Sequence, residues 1–238
     1  MHGRGIGRRR VLGLTGALVA VLAAWNNVVV TRLPGHPGAY VVVNLAATGA
    51  LLAAARWAGL DREELGLGRR GLPAGLRWGG ACVALVAAGY GTALAVPGLR
   101  PLLADARVGG LDGAQVAYQA LVRVPFGTVL WEEVAFRGVL LAGFARLLSL
   151  PAAAAGSAAV FGIWHIRPTL CALEANDLVD GPVATAAAVL VACLGMVAAG
   201  LFLTWLRLRS DSLLAPVLLH LATNVLGTLA AATAIRLR

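Results

Sequence analysis

Charged residues are scarce in this chain, and lysine is absent. Only 13% of the 238 residues are charged and 59% are hydrophobic, whereas about a quarter of a soluble domain is charged. Such a sequence cannot cover a water-facing surface, which excludes an ordinary soluble domain and predicts an integral membrane protein. All twenty basic residues are arginines, most of them at the ends of apolar runs, so the net charge of +9 reflects membrane topology. We expect a lipid bilayer around the chain and no nucleic-acid partner.

Cysteine is also rare, and its spacing excludes two kinds of site. The three cysteines, Cys82, Cys171 and Cys193, form no C-x-x-C pair. A disulfide framework or a structural zinc site is therefore not expected. Two of the three fall within apolar runs, where cysteine behaves as a small hydrophobic residue.

Apolar runs predict a polytopic, all-α membrane helix bundle. A spanning helix needs about 20 apolar residues, so the chain has room for about seven spans, within a range of six to eight. The predicted spans are 11–31, 40–55, 79–96, 114–148, 151–165, 182–206 and 213–235. Pro125 and Gly127 are expected to kink the fourth run, which is too long for one perpendicular span. The segments 56–78 and 167–181 are predicted to be a polar connection and a loop.

The distribution of arginines predicts the orientation of the bundle. With seven spans and a cytoplasmic N-terminus, twelve arginines lie on the inner side and six on the outer side. The positive-inside rule then predicts a multi-pass protein of the cell's inner (plasma) membrane with its N-terminus in the cytoplasm. The first apolar run is too long for a typical signal peptide, so we expect it to be retained as a span.

Two adjacent carboxylates and an arginine interrupt the fourth span. Ionised side chains inside a membrane cost about 3 kcal/mol or more each unless they are paired or serve a function. Glu133 and Arg137 have the four-residue spacing of an ion pair on one helix face, and Glu132 points about 100° away around the axis. Two interpretations are open. One is a structural ion pair with Glu132 tied to another helix, and the other is a desolvated carboxylate acting as a general acid or base.

Histidines in two later elements can complete such a site. Phe161 and His165 are four residues apart, as are His220 and Asn224, so each pair shares one helix face. Polar contacts that only hold helices together would explain either pair alone. A carboxylate with an imidazole can instead polarise water, and a His–Asn pair can donate hydrogen bonds to the oxyanion of a tetrahedral intermediate. Imidazole and carboxylate are equally suitable zinc ligands.

In this order the motifs resemble those of the CPBP family of intramembrane glutamic or metalloproteases, which includes the CAAX prenyl endopeptidases and the abortive-infection (Abi) group. The resemblance covers about 124–227. It is carried by Glu132-Glu133-x-x-x-Arg137, Phe161-x-x-x-His165 and His220-x-x-x-Asn224. We accordingly predict one integral membrane domain, 1–238, with N-terminal spans in 1–113 and catalytic core spans in 114–235. The signatures of other intramembrane proteases, H-E-x-x-H, G-x-S-G and G-x-G-D, are absent from the sequence.

The resemblance implies a role for each motif residue. These roles are activation of water (Glu132, His165), stabilisation of the oxyanion (His220, Asn224), completion of the same site (Glu133) and structural support (Arg137, Phe161). Metal dependence is left open, and a zinc ion would be held by Glu132, His165 and His220. The implied partner is a membrane-associated peptide or protein substrate, either CAAX-like, a leader peptide or a bacteriocin-type peptide.

Two other functions compete with peptide hydrolysis. A non-catalytic scaffold or immunity protein would keep the same fold for a partner. A proton-coupled transporter would relay protons through the buried glutamates and histidines. Transporters of this kind often contain internal repeats, and no repeat relates the two halves of this sequence.

Overall fold

The protein is built from helices. A computed structural model describes residues 2–32 and 38–237, and this part of the chain contains no strand. The predicted all-α class is confirmed. The nine helices of the described residues are α1 (His2–Ala24, continued by the turns Trp25–Val29 and Val30–Arg32), α2 (Ala39–Ala58), α3 (Leu72–Ala95), α4 (Ala106–Gly109), α5 (113–147), α6 (Leu150–Trp164), α7 (Ile166–Ala175), α8 (Pro182–Ser210) and α9 (Leu214–Arg236).

Most of these helices are suited to a bilayer. Five of them, α1, α2, α3, α8 and α9, are long and apolar enough to cross a membrane. Together with α5, which carries buried charges, and the shorter α6, they give the predicted count of about seven. With 15 residues, α6 is only about 22 Å long, less than the roughly 30 Å of a hydrocarbon core. The chain is therefore a multi-pass membrane protein.

Two predicted connections are partly helical. The predicted polar connection 56–78 ends early, because α3 begins at Leu72 with Pro73 in its first turn, where proline is pre-organised for a helix. The predicted loop 167–181 contains most of α7. Pro168 did not prevent that helix because it lies in the first turn, where its missing N–H would have had no partner within the helix.

The long helix α5 is continuous through Pro125 and Gly127, the residues at which a kink was predicted. It continues through Pro125 by winding as a π-helix over Gln119–Val129, and it does so again over Val134–Leu140. Gly127 instead permits close packing, because a Cβ atom there would lie 2.9 Å from a ring carbon of Tyr40 in α2. Single π-helical turns inside α-helices are frequent at functional sites.

Asn44 of α2 joins three helices at this level. Its Nδ2 donates to the Gly127 carbonyl oxygen of α5 at 2.6 Å, and its Oδ1 accepts from Trp25 Nε1 at 3.0 Å. The side chain is fully buried, so both of its polar ends are satisfied without water. The N-terminal helices are therefore hydrogen-bonded to α5 at Gly127, five residues before Glu132.

α5 lies at the centre of the bundle. It packs against α1, α2, α6 and α9, and residues 131–143 are buried without exception. Phe136 of α5 meets Phe161 of α6 edge-on, with ring centroids 5.0 Å apart. Glu132, Glu133 and Arg137 of α5 thus lie in the interior of the bundle and do not face lipid.

Candidate active site

Glu133 and Arg137 form the predicted ion pair. Arg137 Nη1 donates to Glu133 Oε1 at 3.0 Å, and the two side chains are 1% and 0% exposed. The guanidinium also lies over the Phe161 ring, 4.0 Å from its centroid. A desolvated cation–π contact of this kind is favourable, and it offsets the lack of hydrogen-bond partners, among the described residues, at Arg137 Nε and Nη2.

His220 of α9 is oriented by the same carboxylate. Its Nδ1 lies 2.7 Å from Glu133 Oε1. Because Glu133 is paired with a cation and accepts this bond, Nδ1 carries the proton. The other ring nitrogen, Nε2, then faces Glu132, whose Oε2 is 3.9 Å away. This separation is too long for a direct hydrogen bond and suits a group or water placed between the two atoms.

Glu132 points away from Glu133, towards α6. Its Oε1 accepts a hydrogen bond from Trp164 Nε1 at 3.0 Å. Its Oε2 is buried and has no hydrogen-bond partner among the described residues. The adjacent carboxylates thus have different neighbours, as their angular separation on a helix predicts. Only Glu133 is directly paired with a cation.

His165 immediately follows the last residue of α6. Its Nδ1 lies 2.7 Å from the Phe161 carbonyl oxygen, and since a carbonyl only accepts, Nδ1 is the donor and Nε2 of the neutral ring keeps its lone pair. The Phe161 ring is shared by both imidazoles, with centroid distances of 4.5 Å to His165 and 6.5 Å to His220. His165 also interacts electrostatically with Glu132.

The side chain of Asn224 makes no hydrogen bond to another motif residue in the described part of the chain. It lies in a π-helical stretch of α9, Ala222–Leu226, and is partly exposed. Within the described part of the chain its side-chain amide makes no hydrogen bond, although its backbone carbonyl accepts from Thr228 Oγ1. Its position four residues after His220 keeps it on the same side of α9.

The geometry does not support the zinc site that the sequence left open. Among the residues that the structure describes, no three His, Cys, Asp or Glu side chains converge closely enough to hold a metal ion. Glu132, His165 and His220 therefore do not form a ligand set in this arrangement. Glu132 and His220 supply only a pair of facing donor atoms.

Trp164 is a site residue that sequence reasoning missed. It is fully buried and supplies the one hydrogen bond that Glu132 receives within the described residues. The available indication was its position directly before His165, at the end of an apolar run. Sequence spacing alone could not show that its indole N–H reaches a carboxylate 32 residues earlier in the chain.

Comparison with known proteins identifies the part of the chain that carries this site. Residues 114–226 match the family model described as type II CAAX prenyl endopeptidase Rce1-like. No curated protein and no solved structure matches the chain significantly. The matched segment contains all three motifs and runs from the start of α5 into α9. The resemblance found in the motifs is thereby confirmed: residues 114–226 match an Rce1-like domain of the type II CAAX prenyl endopeptidase kind.

Proposed function

We propose that the protein is an intramembrane endopeptidase that hydrolyses a peptide bond of a membrane-associated substrate by means of activated water. The observation that carries the proposal is the pair of facing atoms Glu132 Oε2 and His220 Nε2, 3.9 Å apart. A buried carboxylate oxygen without a hydrogen bond is costly. Glu133 Oε2 is also buried without a hydrogen-bond partner among the described residues, so what distinguishes Glu132 Oε2 is the imidazole nitrogen that faces it. Water or substrate at this pair can bond to both atoms, which hydrolysis by activated water requires.

Glu132 and His165 are the proposed pair that activates water. Glu132 Oε2 is an acceptor without a partner among the described residues, and His165 Nε2 keeps its lone pair because Nδ1 donates to Phe161. Both can therefore accept a proton from water. As the water oxygen bonds to the scissile carbonyl carbon, its proton passes to this pair, and it is returned to the amine when the C–N bond breaks.

His220 is the proposed donor to the oxyanion, and its orientation supports this role. Its Nδ1 is bonded to Glu133 Oε1 at 2.7 Å, which leaves Nε2 facing Glu132 Oε2 at 3.9 Å. Because Nδ1 already holds one proton, Nε2 donates only when the ring carries a second one. Such a donor stabilises a developing oxyanion. The amide of Asn224 is the proposed second donor and must turn towards the substrate to serve.

The family description supports a CAAX-type peptide as the proposed substrate. A prenylated C-terminal CAAX peptide carries its own lipid anchor, which would bring the scissile bond to the buried site. Leader and bacteriocin-type peptides are the other substrates that the motifs allow. The protein is proposed to lie in the inner membrane with its N-terminus in the cytoplasm, as the sequence predicts. None of the proposed steps passes through a metal ion.

The purified full-length protein in liposomes provides the test. It would be offered a farnesylated CAAX peptide, the same peptide without the lipid, and a leader-type peptide, and products would be identified by mass spectrometry. We expect cleavage at one bond, reduced by about 1,000-fold in His165→Ala because the water-activating pair is broken. His36→Ala makes the same chemical change outside the three motifs and should keep wild-type activity. Equal cleavage by the two variants would contradict the proposal.

A further inference from the structure

We propose that Trp164 is a positioning residue that sets the direction of the Glu132 carboxylate, an inference that rests on the proposed function. Its indole N–H holds Oε1 at 3.0 Å. Because the two oxygens of a carboxylate are rigidly linked, fixing Oε1 also fixes Oε2. Glu132 Oε2, which has no hydrogen-bond partner among the described residues, then faces His220 Nε2 at 3.9 Å.

The indole is itself held in place from two sides. Trp164 is fully buried. Phe136 meets its ring edge-on at a centroid distance of 5.6 Å, and Trp131 lies on another side at 6.5 Å. In such a close-packed environment a tryptophan cannot change rotamer without displacing its neighbours. The donor is therefore pre-organised, and the carboxylate does not have to be ordered at the moment of reaction.

The choice of a neutral donor has a chemical reason. A cation in contact with a carboxylate favours its charged form and makes it a weaker base. Glu133 has such a contact, with Arg137. Among the residues that the structure describes, Glu132 receives only the indole N–H, which orients it without neutralising it. The two adjacent glutamates are thus divided into a carboxylate that supports the site and one that remains available as a base.

Trp164 also couples Glu132 to His165 along the chain. It is the last residue of α6, and His165, the next residue, caps the helix by donating its backbone N–H to the Gly162 carbonyl at 3.0 Å. One helix end therefore places both the partner of Glu132 and the imidazole proposed to work with it. A displacement of this end would change both positions together.

The test removes the indole N–H and retains the shape of the ring. Trp164 would be replaced in the full chain by β-(benzothiophen-3-yl)alanine, an isostere in which sulfur takes the place of N–H. We expect kcat to fall by about 10- to 100-fold, the usual cost of a lost hydrogen bond to a charged group. KM for the farnesylated CAAX peptide should change by less than about twofold, because the bond orients a reacting group and does not bind substrate.

Trp131 is the matched control for this experiment. It is also buried, and its Nε1 has no hydrogen-bond partner among the described residues. The same isostere at Trp131 should therefore leave kcat unchanged and should not lower the melting temperature. An unchanged kcat at Trp164, or an equal loss at both positions, would overturn the positioning role. Trp164→Phe, which also lacks the donor, is a second variant that should lose kcat with little change in KM.

Glu132→Gln separates this inference from the function on which it rests. If Glu132→Gln is inactive but the Trp164 isostere has normal kcat, the positioning role fails while the proposed hydrolysis stands. If Glu132→Gln cleaves at the wild-type rate, the proposed function fails, whatever the Trp164 variants do. A loss of kcat in both, with the Trp131 control unaffected, supports both statements.

Discussion

Glu132→Gln is expected to lower kcat for peptide cleavage by about 1,000-fold or more. Glutamine keeps the size of the side chain and an oxygen that can accept from Trp164, so the fold should be retained. The amide has no appreciable basicity, and the proposed proton transfer from water is lost, an effect of typically about 100- to 10,000-fold. Single-turnover cleavage of the farnesylated CAAX peptide would measure the chemical step separately from binding.

The control for this variant is Glu174→Gln in α7. Glu174 is exposed, and its variant has the same change of a carboxylate to an amide. The kcat of Glu174→Gln should therefore stay within about twofold of the wild-type value. Both proteins should elute and melt like wild type in detergent. Cleavage by Glu132→Gln at more than about a tenth of the wild-type rate would show that Glu132 is not the base. The roles proposed for His165 and Trp164 would then also be contradicted.

Arg137→Met is expected to produce the largest loss of stability. Glu133 is completely buried and would be left with an uncompensated negative charge. Removal of one partner of a buried ion pair costs about 3–5 kcal/mol. For a chain of this size, such a loss lowers the melting temperature by about 6–20 °C. Activity should also be lost, because Glu133 orients His220.

The double variant Glu133→Gln/Arg137→Met distinguishes charge from packing. It removes both charges and keeps an acceptor for His220, so much of the lost stability should return. Activity should remain low, because the neutral amide of glutamine is a weaker acceptor than the carboxylate that orients His220. Thermal unfolding would be measured for the wild type, Glu133→Gln, Arg137→Met and the double variant, which together form a double-mutant cycle. A double variant that is less stable than Arg137→Met alone would contradict a stabilising Glu133–Arg137 pair.

The sequence predicts the site best where chemistry and helix spacing coincide. Glu133 and Arg137 could be paired from their four-residue spacing alone, since two opposite charges in an apolar run have few alternatives, and the ion pair is observed. The divergence of Glu132 from Glu133 followed from the 100° step of a helix. The order of the three motifs was sufficient to indicate the family.

Contacts between distant segments could not be predicted in the same way. No periodicity shows that Trp164 donates to Glu132, because that contact depends on how α6 packs against α5. The same applies to Asn44, whose amide meets α5 at a carbonyl 83 residues later in the chain. Backbone carbonyls are present at every position, so the sequence does not mark the one that a buried amide will contact.

Helix boundaries were least accurate beside proline and near arginine. Pro168 lies in the first turn of α7. Proline is compatible with that position, so its presence alone does not give the helix end. α3 begins before Arg77 because the helix extends beyond its apolar portion.

Peptide cleavage in heavy-oxygen water tests the central claim most directly. Wild-type protein in liposomes and the Glu132→Gln variant would each be incubated with the farnesylated CAAX peptide, and the fragments would be weighed by mass spectrometry. Water attack predicts one heavy oxygen atom in the new C-terminal carboxylate of the wild-type product, and about 1,000-fold slower product formation by the variant. Heavy-oxygen product formed equally by both proteins, or an intact peptide with the wild type for the prenylated, unmodified and leader-type substrates alike, would contradict the account.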